Sequence, residues 1–267
     1  MTLHFTKMQA LGNDFVVIDA VNQKINLSAD QIRFLADRHL GVGCDQVLLL
    51  TPAKNPQADF GYRIFNADGG EVYQCGNGAR CMGLFVQQKK LSDKKTIVLE
   101  TARGLLNVTC MDGDQVQADI AKPNFEPSSL PFIPEKYSSD IQFEVVSVGN
   151  PHCVILSNAK SESDMITIGQ LLNAQPAFPD GVNVEFVKIV SRNKIELTVY
   201  ERGVGLTLAC GSGACAAVAV GRRLGHLDTV VTVLQPGGVL QVIWESLDSV
   251  IQLRGMAALV FDGEISL

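Results

Sequence analysis

Hydrophobic positions recur with a helical period between Ser28 and Leu40, where Ile32, Leu35, Ala36 and Leu40 fall near one face. Ser28, with Gln31 three residues on, has the form of a capping box, and Gly41 is the expected C-terminal stop. The pattern predicts a strand from Phe60 to Asn66, and Asp68-Gly69-Gly70 predicts a hairpin turn into Val72-Tyr73-Gln74. Glu196 to Glu201 reads in the same way ahead of a Gly203-Val204-Gly205 turn. Two further helices follow Cys-Gly-x-Gly turns. Ala214 to Val220 is apolar all round, which predicts burial at the centre of a lobe. Ala79 to Val86 is nearly so until Gln87-Gln88-Lys89-Lys90 meets solvent.

These elements belong to a chain that repeats itself about 137 residues further on. Gly12-Asn13-Asp14-Phe15-Val16-Val17-Ile18 returns as Gly149-Asn150-Pro151-His152-Cys153-Val154-Ile155. Ser28-Ala29-Asp30-Gln31 pairs with Thr167-Ile168-Gly169-Gln170 as a second helix start. Gly41 to Val47 pairs with Gly181 to Val187, Cys75-Gly76-Asn77-Gly78-Ala79 with Cys210-Gly211-Ser212-Gly213-Ala214, and Gly104 to Val108 with Gly238 to Val242. The order is kept throughout. Between the copies, Pro123, Pro127, Pro131 and Pro134 read as a linker. The expected fold is α/β (α+β): two pseudo-symmetric lobes, residues 1–120 and 121–254, facing across a cleft. Each is a curled, mainly antiparallel sheet or barrel around a central helix.

A length of 267 residues accommodates one large domain or two. A net charge of −6, with no Lys/Arg cluster interleaved with aromatics, argues against nucleic acid as a partner. Met1 to Gln9 contains no signal-like apolar run, and no stretch reaches membrane-spanning length. The seven cysteines are an odd number, so reduced thiols in the cytoplasm are expected. With only four scattered histidines, neither Cys75/Cys81 nor Cys210/Cys215 has the spacing of a zinc set, and no metal is expected.

The duplicated turns carry the candidate chemistry. Glycines just before a helix leave backbone N–H groups at the positive end of its dipole, an anion site in which a cysteine has a lowered pKa. Two-fold pseudo-symmetry would set Cys75 and Cys210 on opposite sides of one small molecule, whose carboxylate both turns would hold. That arrangement suits inversion of an α-carbon without a cofactor, since one sulfur must remove a proton as thiolate while the other delivers one as thiol. Two helix dipoles, worth up to about 2 kcal/mol each, supply at most roughly a thousandfold. Orientation and exclusion of water must supply the rest, so the lobes are expected to close on substrate.

The unmatched Cys44, Cys81, Cys110, Cys153 and Cys215 read as core fillers. His152 replaces Phe15 of the first copy and fits either a satisfied hydrogen-bonder or a catalyst. Asn13, Asn66, Asn150 and Asn183 sit at strand ends or turns, serving the local backbone or pointing into the cleft. Glu201-Arg202 is either a solvated ion pair or a carboxylate-recognition site. Neither duplicated turn contains Cys-x-x-Cys, which disfavours a redox role.

Over essentially its whole length the sequence resembles the diaminopimelate epimerase family. The matching blocks are Lys7-Met8 through Phe15, Phe65-Asn66-Ala67-Asp68-Gly69, Cys75 through Arg80, Gly149-Asn150-Pro151-His152, Asn183-Val184-Glu185-Phe186 and Glu201-Arg202-Gly203-Val204-Gly205 through Gly211. The resemblance implies a pyridoxal-independent isomerase that interconverts LL- and meso-diaminopimelate for lysine and the peptidoglycan cross-link. It implies Cys75 and Cys210 as the acid/base thiols and His152 and Glu201 as groups that tune them. Backbone N–H groups of Gly76, Asn77, Gly211 and Ser212 would hold the reacting carboxylate. Asn13, Gln46, Asn66, Asn150, Asn183, Glu201 and Arg202 would read the distal end. It also implies a cytoplasmic homodimer, with residues 255–267 returning to the first lobe. Ser212 stands where the family usually carries Thr, and Phe261 where a Tyr is common near the dimer contact. The alternatives are a paired-thiol racemase of proline or hydroxyproline, and a relative turned to binding or biosynthesis; the latter would be expected to lack the paired cysteines.

Overall fold

A computed structural model describes residues 2–73, 75–126, 130–156 and 161–267. Gln74 and Pro127, assigned above to a strand and a linker, lie outside the described residues. The chain forms two compact units, Met1–Asp119 with Gly255–Leu267, and Ile120–Arg254.

In the first unit, β1 (Thr2–Ala10) pairs antiparallel with β2 (Asn13–Asp19), and β2 runs parallel to β3 (Gln46–Thr51). The helix α1 (Ala29–Ala36) crosses between them. Then β4 (Phe60–Asn66) pairs antiparallel with β3, and the short β5 (Glu71–Val72) turns back on β4. The helix α2 (Gly76–Gln88) leads to β6 (Thr96–Thr101), parallel to β4, followed by the antiparallel β7 (Gly104–Cys110) and β8 (Gln115–Ala121). At the far end of the chain β17 (Ala258–Ser266) returns to pair with β1.

The second unit repeats this order. It contains β9 (Glu144–Ser147), β10 (Pro151–Leu156), α3 (Glu162–Ala174), β11 (Asn183–Ser191) and β12 (Lys194–Glu201). The short β13 (Gly205–Thr207), α4 (Gly211–Arg223), β14 (Val230–Gln235), β15 (Gly238–Ile243) and β16 (Ile251–Met256) complete it. The parallel pairs β10/β11 and β12/β14 match β2/β3 and β4/β6.

Burial explains the composition of these elements. Residues Phe15 to Ile18 of β2 are all buried, because helices cover both faces of this parallel pair. Val16, Ile18, Val47 and Leu49 pack in one cluster with Ile32 and Leu35 of α1. On the other face α2, buried from Asn77 to Val86, touches β1, β2, β3, β7 and β17. In the second unit α4, buried through Val218 and Val220, touches β9, β10, β11, β12 and β15. Each sheet therefore curls round one central helix, as the apolar character of Ala79–Val86 and Ala214–Val220 predicts.

Several local expectations are corrected. The helix after Ser28 stops at Ala36, not near Leu40, and Leu40 is 76% exposed. Asp37 ends it: its backbone is extended, and its carboxylate accepts the N–H groups of His39 and Leu40. The second capping box is Ser161 with Asp164; Thr167 lies inside α3 and donates its hydroxyl to the Ser163 carbonyl. Ladder register sets Phe15 against Gln46 and His152 against Asn183, so Gln46 corresponds to Asn183 and the pairing of Gly41 with Gly181 slips by three residues. From Leu130 onward the proline-rich stretch is packed into the second unit. Phe132, Tyr137 and Phe143 form an aromatic cluster with Phe178, since proline excludes helix and ladder bonds but not burial.

Candidate functional site

Cys75 and Cys210 occupy the same structural position. Each is the N-cap of its unit's central helix, with extended backbone (φ −152° and −124°), and each Sγ accepts the N–H of the third helical residue. The N–H of Gly78 lies 3.2 Å from the Cys75 sulfur, and that of Gly213 lies 3.4 Å from the Cys210 sulfur. The first-turn N–H groups of Gly76 and Asn77, and of Gly211 and Ser212, have no intrahelical acceptor.

Around Cys75 the expected residues form two groups. Asn13 Oδ1 lies 3.9 Å from Cys75 Sγ and accepts the Asn77 amide at 3.2 Å. The buried Arg80 donates to Asn77 Oδ1 at 2.8 Å and so fixes that amide. Gln46 donates to Asn66 Oδ1 at 2.8 Å at the facing ends of β3 and β4.

An ion cluster behind the Gly12-Asn13-Asp14 turn holds Asn13 in place. Asp14 accepts from Lys7 at 2.6 Å and from both Arg38 nitrogens at 3.0 and 2.8 Å. Asp45 accepts the Asn13 amide at 2.9 Å, which leaves Asn13 Oδ1 facing the sulfur. Burial alone would raise the Asp14 pKa, but the Arg38 and Lys7 charges outweigh it and hold the carboxylate far below its ordinary 3.8. Because folding lowers this pKa, the stabilisation is complete above pH 3.8 and is lost as pH falls towards the folded value. Asp14→Asn is therefore expected to cost about 2 kcal/mol at neutral pH. It should also flatten the loss of melting temperature below pH 3.8, which thermal denaturation across pH would measure.

The surroundings of Cys210 are more acidic. Its backbone N–H donates to Gln235 Oε1 at 2.8 Å, and its sulfur lies 3.5 Å from Ser212 Oγ. Burial pushes the thiol well above its ordinary value, and the charges of Glu201 and Glu185 push it the same way. The contacts from Ser212 and the Gly213 N–H work against this without reversing it. The lowered pKa expected from the helix dipole is thus corrected for Cys210, where lost hydration outweighs the dipole. Glu201 accepts from Thr207 Oγ1 at 2.6 Å. Asn183 accepts the Arg202 backbone N–H at 2.9 Å. The Arg202 guanidinium is bonded to the Asp180 carbonyl at 2.8 Å and is not drawn to the other candidates of this unit.

His152 is fully buried, with Nδ1 2.6 Å from Glu185 Oε1 and Nε2 3.0 Å from Asn150 Oδ1. Sequence reasoning assigned no role to Glu185, Asp45, Arg80 or Gln235. Two of them left a signal: Glu185 is a lone charge in the apolar run Val184 to Val187, and Arg80 a lone charge in an apolar helix. None of the seven cysteines is in a disulfide, and Cys44, Cys81, Cys110, Cys153 and Cys215 are buried, as core fillers should be. Among the described residues no three His, Cys, Asp or Glu side chains cluster as metal ligands would, and no helix is long and apolar enough to cross a membrane.

A solved hydroxyproline epimerase from Agrobacterium vitis, with bound trans-4-hydroxy-L-proline, superposes with a TM-score of 0.74 at 17% identity, over 100% of this chain and 93% of the other. A phenazine-biosynthesis protein from Bacillus anthracis gives 0.72 at 15% identity over 100% of both chains. At such identities these likenesses establish the fold alone. In sequence, a diaminopimelate epimerase from Teredinibacter turnerae is 47% identical over 100% of both chains. The family model for diaminopimelate epimerase matches residues 5–126 and 144–260. The chain, an isomerase, belongs to the diaminopimelate epimerase family.

Proposed function

We propose that this chain interconverts LL- and meso-diaminopimelate, with Cys75 and Cys210 as the two acid/base groups. The observation that carries the reading is the pair of N-cap cysteines on matched central helices, each sulfur on the third N–H of its helix. One unit would contribute Cys75 and the other Cys210, and the two sulfurs would act on opposite faces of the substrate's α-carbon. A thiolate takes the α-proton, and the electron pair of the C–H bond passes into the adjoining carboxylate. N–H groups of Gly76, Asn77, Gly211 and Ser212 stabilise that developing charge. The other thiol gives its proton to the opposite face, and the two sulfurs have exchanged protonation states. This scheme uses neither pyridoxal phosphate nor a metal.

Burial and the Glu201 carboxylate favour the thiol form of Cys210, which suits it to the donor role in the resting protein. His152 and Glu201 tune the pair. Asn13, Gln46, Asn66, Asn150, Asn183, Glu201 and Arg202 read the distal amino-acid end. We assign the protein to the cytoplasm, on the route to lysine and the peptidoglycan precursor, as a homodimer. The exposed Val260 and Phe261 of β17 supply an apolar surface for that contact.

Proton NMR of LL-diaminopimelate in deuterium oxide, with reduced protein and no additive, tests the reading. Loss of one α-proton signal with growth of the meso isomer supports it. No exchange, with the protein folded, overturns the substrate and moves the assay to proline and hydroxyproline. Arg202→Leu sharpens the choice: activity on diaminopimelate should fall at least tenfold, chiefly through KM, because a distal carboxylate loses its bidentate partner. A proline-type racemase would not need this arginine.

A further inference from the structure

The two units match element for element, yet they differ at one buried place. Register makes Phe15 of β2 the counterpart of His152 on β10, and Leu48 of β3 the counterpart of Glu185 on β11. Phe15 and Leu48 are both fully buried, and the pair is apolar. His152 and Glu185 are also fully buried, and the pair is ionisable. Both pairs back the first turn of a central helix. A Cβ on Gly78 would meet Leu48 at 3.3 Å, and one on Gly213 would meet Glu185 Oε1 at 3.0 Å. The fold therefore has a working apolar solution for this position, and apolar packing is usually at least as stable as a buried ion pair. Retention of the ionisable pair in one unit alone points to a task other than packing.

The bonding defines the task. Glu185 Oε1 takes Nδ1 of the ring at 2.6 Å, while Oε2 has no partner among the described residues. Nε2 meets the side-chain amide of Asn150 at 3.0 Å, and Asn150 is one of the residues the proposed function gives to the substrate. Both partners are acceptors, a carboxylate oxygen at Nδ1 and the amide Oδ1 of Asn150 at Nε2, so each ring nitrogen must donate, and the carboxylate on Nδ1 sustains the ring form that leaves a proton on Nε2 for Asn150.

We propose that Glu185 is a positioning residue: its carboxylate holds the proton on Nδ1 of His152 while Nε2–H donates to Asn150 Oδ1, so the ring, protonated at both nitrogens, fixes how that amide faces the substrate. Phe15 and Leu48 at the matching positions of the first unit carry no such bond, so the two units are chemically unequal here although their strands match. This deepens the proposed function and rests on it for the role of Asn150, but the bond itself is tested without turnover.

Protein labelled with 15N in its four histidines reports the protonation of each ring nitrogen by NMR at neutral pH. Assignment of His152 by His152→Phe should reveal protons on both Nδ1 and Nε2, whereas neutral imidazole free in water favours the Nε2–H form. Absence of the proton from either nitrogen overturns the proposal, because its partner would then be the donor. Glu185→Gln should shift the ring signature and raise KM for diaminopimelate about tenfold with a smaller change in kcat. The double variant His152→Phe with Glu185→Leu installs the first unit's own pair. It is expected to fold with an unchanged or higher melting temperature and to lose at least a hundredfold in kcat/KM. Wild-type kcat/KM in the double variant, or an unchanged KM in Glu185→Gln, also overturns the proposal. Absence of epimerisation by the wild-type protein defeats the functional reading instead and leaves the NMR result standing.

Discussion

Cys75→Ala and Cys210→Ala are each expected to abolish net epimerisation of diaminopimelate, by about 10²–10⁴-fold or beyond detection, while substrate still binds. In the proposed two-base scheme each sulfur serves one face of the α-carbon, so loss of either leaves no group to complete the inversion. The remaining thiol can still take and return a proton on its own face. Each variant should therefore catalyse slow deuterium exchange into one isomer only, without forming the other, and the two variants should prefer opposite isomers. NMR in deuterium oxide separates exchange from inversion in one experiment. Substantial inversion by either variant would break the two-base scheme. Because both sulfurs cap their helices, circular dichroism should accompany the assay, with loss of each cap costing about 1 kcal/mol of stability.

The second large effect is expected at Gly78, on the first turn of α2. A methyl group there would come within 3.0 Å of the Tyr62 hydroxyl and 3.3 Å from both Leu48 methyls. Neither neighbour has room to retreat, since Tyr62 and Leu48 are both buried. Gly78→Ala should therefore cost about 1–3 kcal/mol through overpacking. Displacement of α2 carries the Cys75 sulfur and the first-turn N–H groups with it, and a shift near 1 Å in reacting geometry costs on the order of a hundredfold in rate. Tyr62 provides the control. Its hydroxyl is buried with no hydrogen-bond partner among the described residues, so Tyr62→Phe alone should be neutral or slightly stabilising. Combined with Gly78→Ala, it should restore part of both the melting temperature and kcat. No rescue would mean that the backbone, not the hydroxyl, limits this position.

Legibility in the sequence followed the length and uniqueness of each signal. Cys-Gly-x-Gly followed by eight or so apolar residues occurs twice and fixed both central helices, because a helix apolar on every side can only be buried. The strand from Phe60 to Asn66 was equally clear, bounded by a turn that needs Gly69 at φ +88°. Short polar signatures were degenerate by comparison. Thr167 to Gln170 imitates a cap but lies within α3, whose N-cap is Ser161. Leu40 continues the helical period of α1 but falls beyond Asp37, whose carboxylate competes for the N–H groups the helix would need next. At the candidate site, the sequence put both cysteines close to a helix start but set the glycines before the helix; Gly76–Gly78 and Gly211–Gly213 instead form its first turn, and the cysteines are its N-caps. The high thiol pKa of Cys210 was not legible, because it depends on burial and on Glu185 and Glu201, which reach the sulfur only through folding. The same holds for the Asp14 cluster, whose partners Lys7, Arg38 and Asp45 belong to separate elements.

The pairing of β1 with β17 bears on the order in which the polypeptide can fold as it is made. The second unit is continuous, Ile120–Arg254, and its strands and helices are all available once that stretch has been synthesised. The first unit uses both the lowest- and the highest-numbered strands: Thr2 pairs with Ser266, and Thr6 bonds Asp262, 256 positions further along the sequence. Closing so long a loop is slow, and β1 must wait for β17 with its apolar residues unprotected on that side. The unit whose synthesis starts first is thus the one completed last, and a truncation near residue 257 should trap a folded second unit attached to an unfinished first one.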